Sequence, residues 1–259
     1  MTILEFDEDR ARAIEATYAT PDVVAQRKFT LDLLGLQPGD RVLDVGSGPG
    51  YLVSEMAAAV GQNGAVHGVD ASSAMNAIAS RRTADQPWVR IDEGDALQLP
   101  YADGTFDAAV SAQVYEYVAD MPRALTELRR VLRPGGRALI VDTDWDSLVW
   151  HTHDRELHRR VTAAWDQHLV HPHLPTVLAR LLRDAGFTVT AQHVHVLFNS
   201  ELNDDAFSAR SMRSIAEYVA GLEGVTESDV ADWLTDLQAR NDAGEYFFSL
   251  NRYAVMATV

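Results

Sequence analysis

One short segment constrains this chain more than any other: Val42-Leu43-Asp44-Val45-Gly46-Ser47-Gly48-Pro49-Gly50-Tyr51. An apolar, β-branched run enters a glycine-rich turn, and helical patterning follows. Such a turn aims backbone amides and a helix N-terminus at whatever sits above the strand end, so the segment predicts a cofactor site. Gly46, Gly48 and Gly50 are spaced G-x-G-x-G, whereas the dinucleotide fingerprint G-x-G-x-x-G would need glycine where this chain has Tyr51. A pyrophosphate loop is therefore not favoured.

The surrounding rhythm supplies the fold. Arg41–Val45, Ala65–Asp70, Val89–Glu93, Phe106–Ser111 and Arg137–Thr143 read as strands; Tyr51–Val60, Ser73–Arg82 and Met121–Leu132 read as helices between them. Asp120 can cap the last of these, with Pro122 in its first turn and Pro134-Gly135-Gly136 ending it. Alternating elements of this kind imply right-handed crossovers, hence a doubly wound, mostly parallel α/β sheet covered on both faces. Before the loop, two helices broken at Pro21 are expected. After Thr143 the rhythm fails: residues 144–173 read as an irregular or helical excursion, Leu174–Ala185 as a helix, Thr188–Leu197 as a strand, roughly Asp204–Arg240 as a helical stretch and Phe247–Ala257 as a last strand. No linker separates these parts, so residues 1–259 read as one domain.

Two acids converge on the same sheet edge as the loop. Asp70 closes a strand about 20 residues further on, where a carboxylate can accept both hydroxyls of a ribose. Asp95, in Gly94-Asp95-Ala96 after the third strand, could accept from an adenine amino group.

With these residues the sequence resembles the class I S-adenosylmethionine-dependent methyltransferases, most closely the small-molecule branch that includes the ubiquinone and menaquinone C-methyltransferases. The resemblance covers about residues 36–143. It also rests on Gly68-Val69-Asp70 with Ser73 and Met75, on Leu99-Pro100-Tyr101, on Phe106-Asp107, and on Glu127-Leu128-Arg129-Arg130-Val131-Leu132-Arg133-Pro134-Gly135-Gly136. It implies a Rossmann-like methyltransferase fold with a seven-stranded sheet and S-adenosyl-L-methionine as cofactor. Gly46, Ser47, Gly48 and Gly50 would approach the methionine part, with Asp44 organising the loop and the ammonium end. Asp70, with Ala71, would hold the ribose; Met75 would pack on the adenine, and Gly94, Asp95 and Ala96 would read its edge. Ser111, Ala112 and Gln113 would lie beside the sulfonium. Tyr18 and Arg27 sit where similar enzymes close over the cofactor carboxylate; the alternatives are a core tyrosine and a snorkelling arginine.

A sulfonium methyl is already activated, so the implied reaction is an in-line displacement with the nucleophile about 3 to 3.5 Å from the methyl. A base could assist, and histidine is the natural type. Eight of the nine histidines lie between His151 and His195. His168 and His171 are the first candidates for the acceptor site, against the plainer reading of surface histidines. Tyr117, in Tyr115-Glu116-Tyr117, stands where related enzymes often carry a histidine, and tyrosine is a poor base at neutral pH. Tyr115, Asp144, Trp145 and Trp150 are candidate acceptor contacts. Asp142 and Asp146 flank the same segment, and Asp146 can equally cap the next helix. Trp145, Trp150 and Trp165 would wall a pocket or anchor the cover. The pairs His151/His153 and His171/His173 could chelate, but no metal is expected.

Composition narrows the partners. The formal charge of −16 disfavours a phosphate backbone, and Ser111-Ala112-Gln113-Val114 lacks the Asn/Asp-Pro-Pro-aromatic motif of enzymes that methylate a flipped base. A tRNA or rRNA methyltransferase is thus a weaker alternative, as are a silent S-adenosylmethionine-binding protein and an NAD(P)-dependent oxidoreductase. The absence of cysteine removes disulfides and thiolate chemistry. Charged residues crowd positions 1–20 and no run approaches 18 apolar residues, so a cytoplasmic protein without membrane contact is expected. The expectation is a methyltransferase for a small, aromatic or largely apolar metabolite, covered by segments 1–35, 144–173 and 204–240; a homodimer stays open.

Overall fold

A computed structural model of the protein describes residues 15–259. Residues 15–18 are helical, and α1 (Pro21–Leu34) starts with proline in its first turn and ends at Gly35; most of the first expected N-terminal helix lies outside the described residues. The expected alternation follows: β1 (Arg41–Val45), α2 (Tyr51–Val60), β2 (Ala65–Asp70), α3 (Ser73–Arg82), β3 (Val89–Glu93), β4 (Phe106–Ala112), α4 (Met121–Val131) and β5 (Leu132–Thr143).

These elements form for local reasons. In α4 the apolar residues Met121, Ala124, Leu125, Leu128 and Val131 recur at helical spacing and are buried, and Asp120 caps the helix by accepting from the Arg123 amide at 3.1 Å. Leu132 then turns extended and pairs with Phe106. Because Arg137 is the next residue in register, opposite Ala108, residues 133–136 loop out of the ladder. The proline–glycine stop is thus a bulge within β5 rather than a gap before it.

With β6 at Val149–Trp150, β7 at Thr188–Asn199 and β8 at Phe248–Thr258, the sheet order is β3-β2-β1-β4-β5-β8-β6, with β7 on β8. Strands β1 to β5 are parallel; β8 runs antiparallel to β5, and β7 antiparallel to β8. The sheet has one strand more than expected, the two-residue β6, which pairs with the start of β8. Crossovers run outward from β1 to β3 and then jump to β4 on its other side. The ends of β1 and β4 therefore flank the switch point of the sheet, where α/β folds bind ligands.

Alternate residues of each strand enter different cores. Leu43, Ala109, Ile140 and Val255 pack under α4 and α6 (Leu174–Asp184), while Val42, Val110, Leu139 and Ala254 pack under α1 and α2. A third core belongs to the cover: α5 (Arg155–Trp165), α7 (Phe207–Val219) and α8 (Glu227–Asp242) enclose Trp150, Ile215, Trp233 and Phe248. The helical stretch expected over 204–240 is therefore two helices, separated by a turn in which Gly221 and Gly224 have positive φ. Asp146 does not cap the helix that follows it: Asp154, immediately before the helix and eight residues beyond Asp146, accepts from the Glu156 and Leu157 amides, and Asp144 caps the short 3-10 turn 145–147. No helix among the described residues is long and apolar enough to cross a membrane.

Candidate active site

The glycine loop is held from beneath by β2. The Gly46 and Ser47 amides donate to the Val69 carbonyl at 2.8 and 3.1 Å. Gly46 has φ +73°, and a Cβ there would lie 2.2 Å from Val114 Cγ2, so both backbone and space require glycine. Asp70 sits at the end of β2 with both oxygens engaged: Gly48 N donates to Oδ2 at 2.9 Å and Ser72 N to Oδ1 at 2.8 Å. Burial raises its pKa, and these two donors oppose the rise. Ser72 accepts from Met75 N and so starts α3, placing the buried Met75 over the strand end. The Gly94 amide donates to the Asp70 carbonyl at 3.2 Å, which sets Gly94-Asp95-Ala96 beside it; the exposed Asp95 accepts from Leu97 N.

Asp44 is the buried acid beneath the loop. Burial, reinforced by nearby Asp70, pushes its carboxyl up to about 8. Tyr18 enters from the segment before α1, with Arg252, Asp70, Glu116 and Asp44 as its charged neighbours. Arg27 is a brace: it donates to Glu55 Oε1 at 2.9 Å and to the Tyr18 carbonyl at 2.5 Å, and lies 4.7 Å from the Tyr51 ring centroid. Arg82 covers the same ring at 3.4 Å and donates to the Pro49 carbonyl. Tyr51, the residue that departs from the dinucleotide pattern, is thus clamped by two arginines at the loop exit.

Across the switch point, β4 ends in strained backbone. Gln113 has φ +60°, unusual for a side-chain-bearing residue, and it is fastened by its amide and Nε2 to the Val141 carbonyl. Its Oε1 accepts from Thr143 Oγ1, which in turn accepts from Arg252 Nη1 at 2.6 Å. Arg252 reaches this place because β8 pairs it with Thr143. Glu116 and Asp142, both fully buried, are among its charged neighbours, though neither comes within ion-pair distance of it. Asp142 accepts from Val114 N at 3.2 Å, and Glu116 Oε2 from Trp145 Nε1 at 3.0 Å. Burial pushes Glu116 up to about 7, against the pull of Arg252 and the Trp145 N–H. Asp142 is raised by burial and further by Glu116. Burial lowers Arg252, and the surrounding acids and tyrosines oppose that.

The expected acceptor residues divide into two groups. Tyr117, Trp145, Trp165, His168 and Tyr218 form one aromatic wall: His168 lies 5.9 Å from Tyr117, 6.0 Å from Trp145, 3.7 Å from Trp165 and 5.4 Å from Tyr218, centroid to centroid. More than a third of Tyr117 is exposed, yet its hydroxyl pKa is far above the ordinary value; desolvation dominates and Glu116 and Tyr18 add to it. Segment 169–171 joins this wall through the Val170 and His171 amides, which both donate to the Glu116 carbonyl. Trp150 stands apart, in the cover core against Trp233 and Phe248, with Nε1 on the Tyr246 hydroxyl. Tyr115 is wholly buried below the wall. Asp144 faces His173 at 3.1 Å, and with Asp146 these groups bring ligand atoms within 4.8 Å of one another.

Sequence reasoning overlooked Arg252 and passed Thr143 by. A signal existed: on β8 the buried face reads Phe248, Leu250, Arg252, Ala254, so a charge interrupts an apolar alternation.

The sheet order and a nucleoside-type loop at its switch point define a class I, Rossmann-like cofactor-binding enzyme. Comparison with known proteins agrees. Residues 43–140 match the family described as a methyltransferase domain. The chain is 33% identical over 192 residues to a demethylmenaquinone methyltransferase of Symbiobacterium thermophilum, covering 65% of this chain and 74% of the relative. It is 37% identical over 247 residues to an uncharacterized 37.1 kDa protein in transposon TN4556 of Streptomyces fradiae, covering 92% and 68%. Among solved structures, the YcgJ protein of Bacillus subtilis superposes with a TM-score of 0.63 at 20% identity, over 91% of this chain and 98% of that one. Phosphoethanolamine N-methyltransferase 2 of Haemonchus contortus, in complex with S-adenosyl-L-methionine, gives 0.63 at 20% identity, over 99% and 58%. The chain belongs to the class I S-adenosylmethionine-dependent methyltransferases, and its cofactor is S-adenosylmethionine.

The residues present fit that cofactor. The Ser47 and Ser111 hydroxyls are buried with no partner among the described residues, Asp44 offers a buried carboxyl for an ammonium group, and no heavy atom lies within 4 Å of where a Cβ on Gly48 would stand.

Proposed function

We propose that this methyltransferase acts on a small aromatic acceptor bearing an ionisable hydroxyl, of the quinol type. The observation that carries the reading is the wall of Tyr117, Trp145, Trp165, His168 and Tyr218 around the end of β4. Flat π faces set edge to face suit a planar ring, which they hold by area and quadrupole rather than by charge. The similarity to a demethylmenaquinone methyltransferase supports the same class.

When bound, S-adenosylmethionine supplies a methyl group activated on a sulfonium and open to in-line displacement. The chain's task is alignment and exclusion of water. Asp44 would take the ammonium end, Gly46 to Gly50 the methionine part, and Asp70 with Ala71 the ribose. Met75, Gly94, Asp95 and Ala96 would frame the adenine, and Ser111 and Gln113 would border the reacting end. Tyr18 would close the top, with Arg27 bracing the segment that carries it. On the acceptor side, Tyr117, His168 and Trp145 would fix the ring, with His171, Tyr115 and Asp144 behind them. Trp150 holds the cover to the sheet.

The test is calorimetric titration with S-adenosylhomocysteine, with NADH and NADPH as controls. Only the sulfur nucleoside should bind, and Asp70→Ala should weaken it by about 1–3 kcal/mol, the value of a lost charged hydrogen-bond pair. Labelled methyl transfer to a reduced naphthoquinol should then be seen, and transfer to RNA in its place would refute the acceptor class.

A further inference from the structure

We propose that Glu116, Asp142 and Arg252 form the site that ionises the acceptor: the carboxyl pair takes the hydroxyl proton and Arg252 holds the resulting oxyanion. The proposal rests on the methyltransferase reading above.

Three buried polar atoms of this cluster have no partner among the described residues: Asp142 Oδ2, Arg252 Nε and the Tyr115 hydroxyl. Leaving such groups unpaired in a dry interior is costly, so a cluster with one free acceptor and one free donor suits a ligand group that both donates and accepts. A phenolic or enolic hydroxyl does both. Asp142 Oδ1 and Glu116 Oε2 are already fixed by Val114 N and Trp145 Nε1, so the pair is pre-oriented. Arg252 is fixed by Thr143 and lies over the Phe207 ring at 5.3 Å. Trp145 both holds Glu116 and lines the aromatic wall, which puts the cluster at the edge of the space that would take the acceptor ring.

Charge balance favours the step. Two carboxylates brought together out of water share one proton, because each disfavours ionisation of the other. The pair then carries one negative charge, and Arg252 cancels it. The groups facing the pair are Arg252 from β8, Tyr18 from the segment before α1, and Tyr115 and Tyr117 from the turn after β4. When the acceptor hydroxyl gives its proton to the pair, the O–H electron pair stays on the acceptor oxygen. The pair becomes neutral, the oxyanion faces Arg252, and the net charge of the buried site is unchanged. No charge enters or leaves the dry region, so the desolvation penalty of making a nucleophile is avoided.

The experiment uses the whole protein and 4-nitrophenol, whose ionisation is visible in its absorbance, titrated with and without S-adenosylhomocysteine. Proton release is read by calorimetry in buffers of different ionisation enthalpy. The wild type should bind the probe as phenolate below the pH at which it ionises in solution, with no proton released. Arg252→Met should bind it as neutral phenol, with affinity reduced about tenfold, a loss of roughly 1.4 kcal/mol. Arg252→Lys should keep part of the phenolate band, and in Glu116→Gln/Asp142→Asn any phenolate formed should release its proton to solvent. Neutral phenol in the wild type, one proton released there, an unchanged spectrum in Arg252→Met, or no probe binding by the wild type would each overturn the proposal. Absence of S-adenosylhomocysteine binding would refute the cofactor reading separately, since the probe spectrum without it still reports on the cluster.

Discussion

Asp44 offers the sharpest quantitative test of the site. Burial beside Asp70 pushes its carboxyl up to about 8 from an ordinary 3.8. Between those values the folded protein holds a proton there that the unfolded chain has released. Folding is therefore opposed more strongly as pH rises, by about 1.4 kcal/mol per pH unit, and the effect levels off above the folded value. Asp44→Asn replaces the protonated acid by a neutral group of the same shape and removes this dependence. From pH 5 to 7 the wild type should lose about 3 kcal/mol of stability relative to the variant, read from urea midpoints and slopes at each pH. A difference curve that stays flat over that range would show that Asp44 is ionised throughout and that the burial argument is wrong. The same proton gives a second readout: an ammonium group docking on Asp44 should expel it, so S-adenosylhomocysteine should release close to one proton per protein at pH 7 from the wild type and none from the variant.

Three further substitutions address the frame around the site. Gly46→Ala combines a left-handed backbone with a 2.2 Å clash against Val114 and should cost about 2–4 kcal/mol in chemical denaturation, with loss of S-adenosylhomocysteine binding; wild-type stability would contradict the packing described. Trp145→Phe keeps the ring in the wall but deletes the donor to Glu116. It should raise the Glu116 pKa and shift the acid limb of the methyl-transfer pH profile upward, and an unmoved limb would exclude Glu116 from proton handling. Arg130→Ala removes contacts to both Glu127 oxygens, to Asp103 and to the Leu99 and Tyr101 carbonyls. Its partial exposure limits the expected cost to about 1–3 kcal/mol, and an unchanged urea midpoint would show that segment 99–103 needs no such pin.

What was legible in the sequence was what is decided locally. The glycine loop, the cap at Asp120, and the strand patterns of β1 to β4 each depend on neighbours within a few residues, and each lies where the sequence placed it. The acceptor side was not legible, because its contacts are made across long stretches of chain. Thr143 and Arg252 are 109 residues apart, and only the antiparallel register of β5 and β8 joins them. Trp150 and Trp145 look alike in sequence, yet one is drawn into the cover by Trp233 and Tyr246 while the other donates to Glu116. The histidines illustrate the same limit. His158 stacks on Trp233 and is pushed down to about 4 by burial and two neighbouring arginines, whereas His168 joins the wall.

The placement of β8 bears on how the protein is made. During synthesis β5 leaves the ribosome with its outer edge bare, and β7 follows with no strand to pair with; both wait for residues 248–258, which insert between them. The cofactor half can therefore condense early, while the sheet closes only when its last strand arrives, a late and non-local step of the kind that slows folding. That strand also delivers Arg252, so a nascent chain would acquire its acceptor-side charge only at the moment its exposed edges are sealed.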